Sequence, residues 1–329
     1  MSKELQSDPP ADREEHSTTA CAHPNIALVK YWGKQDKPGN LPSTPNLSIT
    51  LSELTTTTTV SFAEADQLTL NGNVVGDTKV ARFVGALRNK YDIPPIQIES
   101  TNNFPTGAGL ASSASGFAAL ITALNYHCQL GLDPELMSDW ARQGSASAAR
   151  SIYGGFVALV PPLWRAELFA PASHWDLSVV VAITSDSAKS VSSTAGMKLS
   201  AATSPYYKTW VRSAPDDFSA AFEAIEKRDF ERLTEVAELS CLKMHSVMLT
   251  SVPTLNYWNA ATLACMDTVR ALRAQHTPAF FTIDAGPQVK VICLPQDVAA
   301  VEQALAATPG VIRTISCGLG AGARLTAPA

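Results

Sequence analysis

Residues 102–120 read NNFPTGAGLASSASGFAAL, and the stretch divides into two halves of opposite character. The part over 102–109 is turn-forming, with Pro105, Gly107 and Gly109 close together. The part over 110–120 is small, apolar and helix-compatible, and it opens with Leu110, Ser112 and Ser113. A glycine loop running into a helix start lets backbone N–H groups and the positive end of the helix dipole converge on an anion. Two serines in the first turn add hydroxyls that suit phosphate oxygens or a magnesium ion. The stretch therefore reads as a phosphate cradle, against the plainer reading of a small-residue helix built for close packing. The common nucleotide loops do not fit the spacing. GxxxxGK[ST] is absent, and residues 106–111 lack the third glycine and the acidic partner of a dinucleotide loop.

The chain of 329 residues is long for one core, so two domains are expected. The opening MSKELQSDPPADREEHSTTA is polar and holds two prolines, and residues 1–20 read as a disordered tail without the apolar region of a secretory signal. The first domain is expected over 21–185 and the second over 186–329. The formal net charge is −5, and the tail carries two basic and five acidic residues, so the rest of the chain is near neutral. No global basic field favours nucleic acid or a membrane surface. No apolar run approaches the ~18 residues that span a bilayer. Six scattered cysteines without a CxxC pair fit reduced thiols in the cytoplasm, and the dispersed histidines give no zinc pattern.

Local signals outline the elements. The segments 25–31, 47–52, 55–62 and 96–100 read as strands, and Asn71-Gly72 marks a hairpin within 67–75. Asp133 before Pro134 reads as the N-cap of a helix over 133–144. In the second half, helices are expected over 206–212, 219–228, 230–244 and 257–275, with strands over 177–183, 279–283, 289–294 and 312–316. That pattern is α+β on an antiparallel sheet. The glycine-rich segment 317–323 reads as structural, because no helix follows for it to cap.

Four further constellations carry possible chemistry. Lys30 and Lys34 lie four residues apart around Tyr31, Trp32 and Gly33, with Asn25 just upstream. Lysine is a compact charge suited to phosphate, although an isolated lysine pair is commonly a solvated loop. Ser145, Ser147 and Arg150 place two hydroxyls and a guanidinium in one short segment, or simply a capped helix with a surface ion pair. Residues 190–194, which include Ser193, are hydroxyl-rich and read alone as a turn. Asp284 ends the apolar run FFTI and precedes Ala-Gly-Pro, where either a catalytic acid or a turn-forming aspartate would stand. A cradle, a second anion site and one acid form the inventory of a small-molecule kinase-like enzyme with an anionic substrate.

Five blocks in order, NIALVKYWGK at 25–34, the glycine stretch at 102–120, QGSASAARSIYGGFVAL at 143–159, SVSSTAGM at 190–197 and FTIDAGP at 281–287, closely resemble the diphosphomevalonate decarboxylases. These belong to the superfamily of galactokinase, homoserine kinase, mevalonate kinase and phosphomevalonate kinase. The resemblance implies a two-domain α+β fold, with an N-terminal ribosomal-protein-S5-like domain, a C-terminal ferredoxin-like domain and the active site in the cleft between them. It implies ATP-dependent decarboxylation of mevalonate 5-diphosphate to isopentenyl diphosphate through transient phosphorylation of the 3-hydroxyl. Asp284 would orient or deprotonate that hydroxyl, and Arg150 would hold the substrate carboxylate with Asn25 supporting, while Lys30, also counted among the catalytic residues, would lie near the diphosphate end. Tyr31, Lys34, Ser145, Ser147 and Ser193 match the diphosphate-binding positions. Pro105, Gly107, Gly109, Leu110, Ser112 and Ser113 match the ATP region, with Ser112 and Ser113 toward Mg2+. Homodimerisation is common in the family. One departure is visible: the family often carries an asparagine and paired serines where this chain has Ser43-Thr44-Pro45-Asn46-Leu47-Ser48. The competing expectations are a mevalonate 5-phosphate decarboxylase, a mevalonate 3-kinase, or a non-catalytic sensor on the same fold.

Overall fold

A computed structural model describes residues 17–106, 109–187 and 189–326. The expected tail up to residue 16, and Gly107 of the glycine loop, lie outside the described residues. The first half begins with β1 (Ser17–Ala22), β2 (Asn25–Val29), β3 (Asn46–Thr50), β4 (Thr56–Phe62), β5 (Gln67–Leu70) and β6 (Asn73–Val74). It continues with α1 (Thr78–Arg88), β7 (Ile96–Asn102), α2 (Ser112–His127), α3 (Pro134–Gly144), α4 (Ala148–Ser151), β8 (Phe156–Val160) and β9 (Arg165–Ala170). The second half holds β10 (Ser178–Ile183), α5 (Ser193–Thr203), α6 (Tyr207–Lys227), α7 (Phe230–Leu249) and α8 (Ala260–Ala274). It closes with β11 (Ala279–Ile283), β12 (Val289–Cys293), α9 (Val298–Ala306), β13 (Arg313–Cys317) and β14 (Arg324–Thr326).

These strands form a six-stranded sheet in the order β14-β1-β4-β7-β5-β6 and two four-stranded sheets, β2-β3-β8-β9 and β11-β12-β10-β13. The fold is α+β, as expected. The threonine run becomes β4 because its alternate side chains have two different jobs. Thr56 and Thr58 face inward, bonding to Ser115 Oγ at 2.6 Å and Ser100 Oγ at 3.0 Å, so their buried hydroxyls are satisfied. Against this sheet lies α2, whose Ala114, Ala118, Ala119 and Ala123 are fully buried. Small side chains let the helix approach the strands closely, so the glycine loop at its start is fixed by a rigid element. A second apolar layer joins the halves. Ile26, Leu28, Leu47 and Ile49 share one core with Val179, Val181, Ile225, Val236, Phe280 and Ile292.

Several expectations are corrected. The tail was expected through residue 20, yet 17–20 belong to β1, which pairs with β4 and β14. The division near residue 185 falls too late, because β10 pairs with β12 and β13 of the second half. Helix α6 runs unbroken through Pro215, since Trp210, Ala214, Ala221, Ala224 and Ile225 keep one face buried on both sides of it. The turn expected at 190–194 holds only up to Ser192, which caps α5 from 193 onward and whose Oγ accepts from Ala195 N–H at 3.2 Å. Gly320 and Gly322 are structural, as read. A Cβ on either would meet the backbone of Leu51 or Ile152 within 2.5 Å. Among the described residues no helix is long and apolar enough to cross a membrane.

Candidate active site

Both halves line a cleft of about 610 Å³. Asn25, Lys30, Tyr31 and Lys34 reach it from β2 and the loop that follows, Ser112 and Ser113 from the start of α2, and Ser145, Ser147 and Arg150 from around α4. Gly109, Ser193 and Asp284 complete the set, so the structure gathers residues scattered over 260 positions of sequence into one site. Two expected nucleotide contacts do not line it. Pro105 stands outside the lining, and Leu110 is 3% exposed and packs into the core, where it anchors the loop instead of touching a ligand.

Asp284 sits just past β11, whose five residues are all buried and deliver the acid to the cleft. Its Oδ1 lies 2.6 Å from Lys30 Nζ and its Oδ2 lies 3.4 Å from Lys290 Nζ. Both lysine side chains are 1% exposed, while the carboxylate is 24% exposed. Burial pushes the Asp284 carboxyl up, but the two ammonium charges and their hydrogen bonds outweigh it and hold the group well below the usual carboxylate range. The acid is ionised. Lys290 Nζ also donates to Gly109 O at 2.7 Å. Gly109 has φ +85°, and a Cβ there would meet Gly286 Cα at 2.8 Å. The glycine loop and the turn carrying the acid are therefore in backbone contact, which only glycine permits.

Arg150 is 2% exposed and held by polar neighbours. Its Nε donates to Ser48 Oγ at 2.9 Å, its Nη2 to Asn25 Oδ1 at 2.9 Å, and its Nη1 to Asn46 Oδ1. A guanidinium has five N–H donors, so one on each terminal nitrogen is left for a ligand, the geometry that takes a carboxylate bidentately. Burial pushes its pKa down to about 10 against the opposing pull of Asp284. Asn25 is shared: its Nδ2 donates to Ser147 O at 2.9 Å and Ser151 Oγ at 2.8 Å, tying β2 to α4. The unusual segment 43–48 supplies two of Arg150's partners, so this departure from the family text leaves the arginine supported.

The other end of the cleft is cationic and rich in hydroxyls. Lys34 Nζ donates to Asn40 Oδ1 at 2.8 Å and Thr194 Oγ1 at 3.3 Å. Burial, then Lys79 and Lys198, push its pKa down to about 8. Among the described residues the Tyr31 hydroxyl is buried without a hydrogen-bond partner, and burial raises its pKa, so it remains a proton donor. Ser113, Ser145 and Ser147 form a hydroxyl chain with successive Oγ distances of 3.2 and 3.2 Å. Lys189 Nζ donates to Ser193 Oγ at 2.7 Å and Ala285 O at 3.3 Å. Helix α2 starts from Ala111 in the left-handed region, φ 55°, without a side-chain cap. Its first-turn N–H groups suit phosphate. Among the described residues no group of three or more His, Cys, Asp or Glu is placed to hold a metal. The serine hydroxyls at the start of α2, with a ligand's own phosphate oxygens, would make a donor set that suits a hard cation such as magnesium.

Sequence reasoning missed Lys290, Lys189, and the Lys79 and Arg82 pair of α1 that lines the cleft. For Lys290 a signal existed: it is the one charge in the apolar strand VKVIC.

Comparison with known proteins agrees with this geometry. The family model "Diphosphomevalonate decarboxylase-like N-terminal domain" matches residues 22–162, and "Mevalonate 5-diphosphate decarboxylase C-terminal domain" matches 179–316. The diphosphomevalonate decarboxylase of Gibberella zeae is 36% identical over 91% of this chain and 88% of its own length. The human enzyme is 34% identical over 86% and 78%. The solved mevalonate diphosphate decarboxylase of Enterococcus faecalis is 37% identical, with TM-score 0.86 over 95% of this chain and 99% of that one. A solved complex of MDDEF with MVAPP, AMPPCP and magnesium is 38% identical, with TM-score 0.87 over 95% and 99%. With both halves matched in order over almost the whole described length, the chain belongs to the diphosphomevalonate decarboxylase family.

Proposed function

We infer that the chain catalyses ATP-dependent decarboxylation of mevalonate 5-diphosphate to isopentenyl diphosphate, with release of ADP, phosphate and CO2. The observation that carries this reading is one ionised carboxylate, Asp284, held between two buried lysines in a cleft that otherwise presents cations and hydroxyls. The nucleotide phosphates lie at the start of α2, against Gly109, Ser112 and Ser113, with Lys79 and Arg82 adding positive charge. The Ser112 and Ser113 hydroxyls, together with phosphate oxygens, would hold Mg2+, which would supply charge neutralisation at the transferred group. The substrate's diphosphate takes Tyr31, Lys34, Ser145, Ser147 and Ser193, and its carboxylate takes the two remaining Arg150 donors.

Asp284 accepts a hydrogen bond from the 3-hydroxyl and aims its oxygen at the γ-phosphorus. The O–P bond forms, the bond to ADP breaks, and the hydroxyl proton passes to Asp284. A carboxylate flanked by two cations is a weak base. Phosphoryl transfer through a loose transition state needs little prior deprotonation, so the proton moves as the new bond forms. The C3–O bond then breaks, with phosphate leaving on its electron pair. Cleavage of the C–C bond to the carboxylate returns an electron pair to the alkene and releases CO2.

The test follows ADP and CO2 together, with ATP and Mg2+, on mevalonate 5-diphosphate, the monophosphate and free mevalonate. Matched ADP and CO2 from the diphosphate are expected. ADP without CO2, or preference for a less phosphorylated substrate, would overturn the reading. The same reading includes two domains meeting ahead of β10, a homodimer as in much of the family, and a cytoplasmic setting that suits six free cysteines. Light scattering at twice the chain mass is the expected outcome for the dimer.

A further inference from the structure

Lys290 is the least expected charge in the molecule. It stands on β12, opposite Thr282 in the β11–β12 pairing, and at 1% exposure it is absent from the cleft lining. A substrate cannot touch it, and a lone buried ammonium is costly unless something specific holds it. Two groups do: Gly109 O at 2.7 Å and Asp284 Oδ2 at 3.4 Å. The first is the end of the nucleotide loop, and the second is the acid. A third contact closes the triangle, since Gly109 packs against Gly286, whose N–H donates to Asp284 O at 2.8 Å.

We propose that Lys290 is a positioning residue that fixes the catalytic carboxylate relative to the nucleotide loop, so that hydroxyl and γ-phosphoryl group meet in line. This rests on Asp284 handling the hydroxyl, as argued above. Lys290 performs two separable tasks. Its hydrogen bond to Gly109 O holds the loop against the turn at 284–287. Its charge holds Oδ2, leaving Oδ1 to Lys30, and so selects one carboxylate orientation and keeps the acid ionised. The titratable groups facing this pair are Lys30, Arg150 of α4, Lys189 on the loop before α5, and Cys241 and His245 of α7. Burial pushes the His245 pKa down to about 3, so it is neutral here, and burial likewise raises the Cys241 thiol. Removing Lys290 therefore leaves Lys30 as the direct ionic partner of Asp284 and moves the acid's pKa upward.

The experiment compares steady-state kinetics and kcat–pH profiles of wild type, Lys290→Met, Lys290→Gln and Asp284→Ala. Lys290→Met is expected to lower kcat on the order of 100-fold, the cost of a ~1 Å misplacement at a reacting pair. Its KM for mevalonate 5-diphosphate should stay within about threefold, and the acid limb of its profile should move to higher pH. Lys290→Gln keeps a donor for Gly109 O without the charge. It should show the same direction of pH shift with a smaller kcat loss, and it serves alone if the methionine variant does not fold. A kcat within threefold of wild type with an unmoved acid limb would overturn the proposal, as would a rise in substrate KM matching the loss. Near-wild-type activity of Asp284→Ala would instead overturn the role of the acid itself, whatever Lys290 does.

Discussion

Tyr31→Phe should make the free protein more stable and the enzyme worse. Among the described residues the Tyr31 hydroxyl is buried in the cleft wall without a hydrogen-bond partner, three positions before Lys34 in sequence and within electrostatic reach of Arg150. An unpaired buried hydroxyl costs roughly 1–3 kcal/mol. Deleting only that oxygen therefore raises stability by about this amount, or about 2–6 °C in Tm at ~2 °C per kcal/mol for a chain this large. With substrate bound the sign reverses. A hydrogen bond to a charged oxygen contributes about 1.5–3 kcal/mol, so KM for mevalonate 5-diphosphate should rise roughly 10- to 150-fold. The assay is a pair of thermal melts, with and without the diphosphate, beside initial rates over substrate concentration. A free-protein Tm that falls, together with an unchanged KM, would refute the reasoning: the hydroxyl would then have a structural partner and no ligand.

Lys34, with its pKa lowered to about 8 by burial and neighbouring lysines, loses its charge in the free protein as pH rises through that value. KM for the diphosphate should therefore rise between about pH 7.5 and 9.5, and Lys34→Ala should flatten that rise in a KM–pH series. Arg150→Gln should lower kcat on the order of 100-fold with diphosphate KM changed less than by Lys34→Ala, as the proposed placement of the arginine at the carboxylate end requires. Steady-state kinetics on both variants separate the two effects, and equal KM changes would mean the ends are misassigned. Gly109→Ala should destabilise by at least the ~1–2 kcal/mol of a left-handed non-glycine residue. It also pushes the loop off Gly286, so kcat should fall more than the melt predicts, which a denaturation curve beside single-turnover rates would show.

Asp284 and Arg150 were legible in the sequence because each lies in a short text whose local chemistry is unusual: an acid closing an apolar strand before Gly-Pro, and an arginine following spaced serines. Lys290 was not, because its meaning depends on Gly109, which is 181 positions away. The same holds for β1 and β14, whose pairing joins Thr19 to Thr326 across nearly the whole chain, where no local periodicity reports the partner. The gap expected between helices over 206–212 and 219–228 is absent for the opposite reason: a helix buried along one face on both sides of Pro215 gains enough from packing to continue. The misplaced boundary near 185 has a related cause: β10 is a uniformly apolar strand that fits either half, and only its pairing with β12 and β13 assigns it.

The buried cations also explain why the cleft departs from the consistency of the rest of the fold. Lys34, Lys189, Arg150 and Lys290 all have pKa values lowered first by burial, and Asp284 is the acid that recurs among the interactions of three of them. A core optimised for stability alone would not gather desolvated like charges, nor leave the Tyr31 hydroxyl unpaired. Each mismatch has the sign that a polyanion corrects, and the proposed assignment pairs diphosphate oxygens with Lys34 and Tyr31, a carboxylate with Arg150, and nucleotide phosphates with the start of α2. Ligand binding must then stabilise the folded chain by linkage, about 2.7 kcal/mol at a hundredfold excess over Kd. Under the proposed assignment, the residues that weaken the free protein are thus the ones that select its substrate.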